Sequence, residues 1–107
     1  MSDNADPTWR YVADCGMVPL REGRRVRLGD QELALFNLGT NYAAVANQCP
    51  HKQGPLADGI VAGGSVFCPL HNWRINLETG CAISGGEGQV RCFPVKVLDN
   101  KIYVAPG

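Results

Sequence analysis

Cys49-Pro50-His51 and Cys68-Pro69-Leu70-His71 carry the side chains of this sequence best suited to chemistry. Each clip offers one thiolate and one imidazole, and together they use both histidines of the chain. Two sulfurs and two nitrogens can hold a tetrahedral zinc ion, or an iron–sulfur cluster with cysteines on one iron and histidines on the other. The pattern reads C-x-H, then residues 52 to 67, then C-x-x-H. A C-x-H clip is tighter than a zinc knuckle, whose paired ligands stand about two to four residues apart, and the zinc-finger order of two cysteines followed by two histidines is absent. Alternating Cys and His in each of two loops suits a binuclear centre. A structural zinc module that binds a partner and does no redox work is the contrasting reading.

The bulk properties narrow the class. The chain has 107 residues, with ten Lys and Arg against ten Asp and Glu. That length suits one domain with its own hydrophobic core. The charge balance argues against a nucleic-acid or anionic-membrane binder, which needs a basic surplus. No apolar run approaches the roughly 20 residues of a membrane span, and the polar, acidic opening Met1–Pro7 lacks the pattern of a signal peptide. A cytoplasmic location is the expectation. Five cysteines is an odd number, which spoils a complete disulfide framework and favours ligand roles in a reducing compartment.

The elements that must position the clips are short strands. Trp9–Ala13 has aromatic and β-branched character, and residues 14 to 23, with Gly16, Pro19 and Gly23, form a loop with one short helical turn. In Arg24–Leu28, Val26 and Leu28 alternate with Arg25 and Arg27, as in a half-buried strand. Gly29-Asp30 turns into Gln31–Leu38, where Leu33, Leu35 and Phe36 supply the apolar face, and Gly39-Thr40-Asn41 turns into Tyr42–Ala46. Ile60-Val61, Gly63-Gly64 and Ser65–Phe67 make a hairpin that delivers Cys68 and His71. Trp73–Leu77 is a further strand, followed by the turn Glu78-Thr79-Gly80 and the glycine-rich loop 85 to 88. Val90–Leu98, Asp99-Asn100 and Lys101–Val104 read as a last hairpin. About eight to ten short strands at such spacing predict an all-β antiparallel sandwich or barrel. No stretch holds a 3.6-residue period long enough for a helix.

On the two clips and their spacing, the sequence resembles the Rieske [2Fe–2S] family. The resemblance implies that Cys49 and Cys68 ligate an inner iron, and His51 and His71 an outer, more exposed one. It also implies single-electron transfer with no substrate pocket of the chain's own. Neutral imidazoles in place of two thiolates reduce the negative charge on the centre and raise its potential above that of four-cysteine clusters. The implied layout is a flexible tail over residues 1–7 and a Rieske domain over 8–107, with the cluster-binding portion at about 47–82. High-potential members carry an extra cysteine in each loop, where this chain has Gly54 or its neighbours and Leu70. Their second loop also supplies serine and tyrosine donors, whereas here His71 is followed by Asn72-Trp73-Arg74. With fewer donors to stabilise the reduced cluster, the potential is expected toward the lower part of the family's range of roughly −150 to +300 mV.

Two ferredoxin-like groups share these features. Small ferredoxins of ring-hydroxylating dioxygenase systems have the same clips. The small subunit of assimilatory NADH-dependent nitrite reductase is similar in more stretches: 49–56 (Cys-Pro-His-Lys-Gln-Gly-Pro-Leu), Gly59-Ile60-Val61, 68–73 (Cys-Pro-Leu-His-Asn-Trp), Leu77–Gly80 and Val90–Val97. That likeness implies a large partner subunit with flavin, an iron–sulfur cluster and sirohaem, which reduces nitrite to ammonium with NAD(P)H.

Other residues read more plainly. Cys15, Cys81 and Cys92 lack histidine partners and are expected as small buried hydrophobes. Arg21, Arg24, Arg25 and Arg27 are expected on the solvated face of an edge strand. Lys52 and Arg74 flank the histidines, at positions suited to docking or to raising the potential. Gly54, Pro55 and Gly59 are expected to shape the first loop so that backbone N–H groups face cluster sulfurs, and Trp9 and Trp73 to pack.

Overall fold

The computed structural model describes residues 9–48, 55–69, 73–84 and 88–105. Among them the chain forms eleven strands: β1 (Arg10–Asp14), β2 (Gly23–Leu28), β3 (Gln31–Asn37), β4 (Tyr42–Ala46), β5 (Ile60–Ala62), β6 (Ser65–Phe67), β7 (Arg74–Asn76), β8 (Ala82–Ser84), β9 (Cys92–Phe93), β10 (Val95–Leu98) and β11 (Lys101–Val104). Two single 3-10 turns, Cys15–Met17 and Leu56–Asp58, are the helical pieces of this part of the chain. No helix among the described residues is long and apolar enough to cross a membrane. The tail expected over residues 1–7 lies outside the described residues.

Every strand pairing is antiparallel, and the strands make three sheets ordered β1-β11-β10, β2-β3-β4-β9 and β5-β6-β7-β8. The second sheet is the middle layer, and β3 shows why. Its Leu33 and Leu35 join Ala13, Val18, Ile102 and Val104 in one core, while Ala34 and Phe36 join Leu56, Val66, Cys68 and Ile75 in another. Successive strand residues point to opposite faces, so the apolar run Leu33–Phe36 is buried on both sides. A single apolar face for Leu33, Leu35 and Phe36, as the sequence suggests, is therefore corrected: Phe36 faces away from the two leucines. Near-continuous apolar strands are the mark of a layer covered on both faces.

The turns follow their residue chemistry. Asp99 and Asn100 both take positive φ, 53° and 64°, which suits the two-residue link between β10 and β11. Gly63, at φ 59°, turns β5 into β6. β2 is the edge of the middle sheet, and Arg24, Arg25 and Arg27 along it are exposed, as is Arg21 just before it, as expected for a charged edge. The expected single strand Val90–Leu98 is two strands. Pro94 has no N–H to donate, and at that point the chain leaves β4, the partner of β9, for β11, the partner of β10. β8 is an element that the sequence pattern does not predict; it adds a fourth strand beside β7.

Candidate metal centre

The chain leaving β4 toward the first clip is anchored by one side chain. Asn47 is only 4% exposed, and its backbone N–H and both ends of its side-chain amide make hydrogen bonds. Its backbone N–H donates to the Glu32 carbonyl at 3.1 Å, and its Nδ2 donates to Glu32 Oε1 at 3.1 Å. Its Oδ1 accepts the backbone N–H of Ala57 at 2.7 Å. The residue two positions before Cys49 is thereby tied to the 3-10 turn that follows the clip. Leu56 and Ala57 of that turn are buried in the same core as Phe36 and Cys68. The stretch between these anchors, residues 49 to 54, lies outside the described residues, and with it Cys49, His51, Lys52 and Gly54.

The second clip is gathered at its neck too. Cys68 donates its backbone N–H to the Trp73 carbonyl at 2.7 Å, so the chain returns directly beside the strand end it left. Cys68 itself is fully buried, packed with Leu56, Ala57, Val66 and Ile75. His71 and Leu70 lie outside the described residues. Of the four ligand candidates the described structure therefore places Cys68, and sets it in the same core cluster as the turn that closes the first clip. The necks of both clips converge on one patch of core.

Gly59 holds those necks together, by a route other than the one expected. Its N–H donates to the Leu56 carbonyl at 2.9 Å and is not available to a cluster sulfur. A Cβ there would collide with the Phe67 carbonyl oxygen and lie 2.8 Å from Val66 Cγ2. Glycine is required because the turn presses directly on β6. Asn47 and Glu32 are functional residues that sequence reasoning does not find. An Asn ending an apolar strand is a loop signal, but nothing local identifies Ala57 as its partner.

The remaining described thiols sit in other surroundings. Among the described residues no group of three or more His, Cys, Asp or Glu could hold an ion. Burial pushes the Cys92 thiol up from its ordinary value, and nearby Cys81 pushes it further, which is the reverse of what a thiolate ligand needs. Cys81 is exposed, so its expected burial is corrected; it sits on an isolated bridge to Gln89 at the sheet margin. Cys15 is half-buried against the core beneath the first sheet, beside Tyr42. Burial raises the Tyr42 phenol, with a hydrogen bond to Cys15 as the next cause. Trp73 packs against the core that holds Cys68, and Lys96 lies over the Trp9 ring at 4.9 Å. Cys68 is an unbridged, buried sulfur at the end of a strand, and with one more thiol and two imidazoles in the adjoining clips the donor set fits a two-iron cluster.

In this antiparallel three-layer fold one clip leaves the middle sheet at Asn47 and the other leaves the outer sheet at Cys68, an arrangement and donor set suited to a small iron–sulfur electron-transfer module. The chain belongs to the Rieske [2Fe–2S] family: the Rieske [2Fe–2S] domain model matches residues 8–97. Its cofactor is accordingly a Rieske [2Fe–2S] cluster, which accepts and returns one electron at a time. The chain is 37% identical over 101 residues to the nitrite reductase [NAD(P)H] large subunit of Klebsiella oxytoca, covering 90% of this chain and 11% of that one. It is 31% identical over 80 residues to the anthranilate 1,2-dioxygenase ferredoxin subunit of Burkholderia cepacia, 74% of each. The ferredoxin of carbazole 1,9a-dioxygenase from Nocardioides aromaticivorans IC177 superposes with a TM-score of 0.88 at 25% identity, over 94% of this chain and 99% of that one. The chain thus spans a small part of the nitrite reductase subunit and most of the ferredoxins.

Proposed function

We propose that this protein carries single electrons within an NAD(P)H-dependent nitrite reductase, as the small subunit beside a large subunit with flavin, an iron–sulfur cluster and sirohaem. In this reading Cys49 and Cys68 hold the inner iron, His51 and His71 hold the outer one, and the cluster-binding portion runs over about 47–82 within a domain of 8–107. The observation that favours it is identity: 37% over 90% of the chain for the nitrite reductase large subunit, against 31% over 74% for the anthranilate dioxygenase ferredoxin and 28% over 90% for a naphthalene dioxygenase ferredoxin component. The chain has no substrate site of its own in this scheme; nitrite is reduced on the partner. A cytoplasmic location belongs to the same reading and is supported by the free thiols of Cys15, Cys68, Cys81 and Cys92.

A second reading rests on a separate observation. The chain superposes over 99% of a carbazole dioxygenase ferredoxin, which supports a ferredoxin that feeds a ring-hydroxylating oxygenase. Reconstitution separates the two. The reduced holoprotein is mixed with a sirohaem nitrite reductase subunit or with a terminal oxygenase, and reoxidation of the cluster is followed in the visible. Nitrite-dependent turnover and copurification with the sirohaem subunit uphold the proposal; electron delivery to the oxygenase alone refutes it. The ligand assignment has its own test. Ser at Cys49 or Cys68, or Ala at His51 or His71, abolishes the native cluster signal, and Ser at Cys15, Cys81 or Cys92 leaves it. His71→Cys adds negative charge at the outer iron and lowers the potential; an unchanged potential contradicts the role given to the imidazoles.

A further inference from the structure

The outward face of the sheet β5-β6-β7-β8 carries a row of residues that the core does not use. Ile60, Phe67 and Arg74 are successive backbone partners across three of these strands, a span of about 10 Å at the usual strand spacing. Ile60 is 72% exposed, and Ile83, at the irregularity in the β7–β8 register, is 50% exposed. Between them Arg74 is half-buried, its guanidinium carbon 5.7 Å from the centre of the Phe67 ring. The Arg74 Nε is covered by protein and meets no hydrogen-bond acceptor among the described residues. The arginines of the edge strand differ: Arg25 pairs with Asp58 at 2.7 Å and Arg24 with Glu22 at 3.0 Å. Arg74 and Ile83 also line a cleft of about 510 Å³ together with Leu38, Asn41 and Tyr42. The row lies next to the second clip, because Phe67 precedes Cys68 and Arg74 follows Trp73, the acceptor that closes the clip's neck.

We propose that this face docks the redox partner, taking an acidic side chain of that protein on Arg74 and apolar side chains against Ile60 and Ile83. The inference rests on the electron-transfer reading above. Charge selects the occupant. A guanidinium already stacked on an aromatic ring gives up little further freedom when a carboxylate binds it, and apolar neighbours strengthen the pair by excluding water. A second copy of this chain, apposed about a two-fold axis through the patch, sets Arg74 against Arg74. An anionic lipid surface requires a cluster of cations, whereas Arg74 is the single cation among the described residues of this row.

The test uses the holoprotein and whichever reconstituted partner, the sirohaem subunit or the oxygenase, accepts its electrons. Arg74→Glu raises Kd by roughly tenfold or more and Ile60→Asp by roughly threefold or more, the loss typical of a central interface residue. Lys101→Glu, the same charge reversal on the three-stranded sheet, changes Kd by less than about twofold, as rim or remote charges do. Visible circular dichroism and the EPR signal of the cluster stay as in the wild type in all three. Should Arg74→Glu disturb the cluster, Ile60→Asp decides the matter, since that side chain is already in solvent. Unchanged Kd in Ile60→Asp and in a cluster-intact Arg74 variant overturns the docking face alone; wild-type protein that binds neither partner overturns the partner assignment with it. A dimer of this chain that Arg74→Glu dissociates assigns the face to a second copy and also overturns the proposal.

Discussion

Replacing Asn47 by Ala removes the tie between the two flanks of the first clip. The Ala57 N–H, on a residue only 7% exposed, then loses its acceptor, and an unsatisfied buried donor costs about 1–3 kcal/mol. The lost bond to Glu32 Oε1 adds less, because Glu32 is exposed. The sum is on the order of 2 kcal/mol against a typical domain stability of about 5–15 kcal/mol, or a fall of roughly 10 °C in the thermal midpoint for a chain of this size. Asn47→Asp makes a sharper comparison. It keeps an acceptor for Ala57 but places a carboxylate against that of Glu32, so the variant should be weaker at neutral pH and recover as the pH falls and one of the two is protonated. Scanning calorimetry and the rate at which visible absorbance bleaches at a fixed temperature measure both effects. An Asn47→Ala protein within about 0.5 kcal/mol of the wild type, with an unchanged bleaching rate, refutes the account of Asn47 as the anchor of the clip.

Gly59→Ala forces a methyl against the Phe67 carbonyl and Val66; overpacking of this kind costs about 1–3 kcal/mol, read from the same thermal midpoint, and a neutral result contradicts the close contact of turn and strand. Asp58→Asn breaks the pair with Arg25, but both side chains are about half exposed, so denaturant titration should show a loss below about 1 kcal/mol that shrinks further in salt. The Cys92 thiol is held above its ordinary 9.0, by burial first. The native state therefore keeps a proton that the unfolded chain releases, and this contribution is whole below that value and lost as pH rises through the raised one. Urea midpoints between pH 8 and pH 10.5 should fall less steeply in Cys92→Ala than in the wild type.

The chemistry of this chain is more legible in its sequence than its architecture. The clips announce themselves because both histidines and two of the cysteines fall in two short stretches, and alternation along Arg24–Leu28 and the turn at Asp99-Asn100 are local signals that the structure obeys. What escapes depends on partners distant in sequence. Leu33 and Phe36 look alike as apolar residues of one run, and they separate into two cores only once sheets cover both faces of β3. The break at Pro94 is written in the sequence, yet which sheet each half joins is not. Cys81 and Cys92 are the same residue type, and only the fold leaves one exposed and the other half-buried.

The sheet β1-β11-β10 has a consequence for how the protein is made. Its first strand ends at Asp14, and the partner of that strand begins at Lys101. At typical elongation rates β1 waits roughly 4 to 17 s on the ribosome for its neighbour. Both clips, and the sheet beside them, are synthesised within that interval. Val12 and Ala13 meanwhile have no strand to lie against, so chaperone binding and premature aggregation compete for the same edge that β11 later covers. A truncation or stall before residue 101 leaves a chain with every proposed iron ligand and no closed fold.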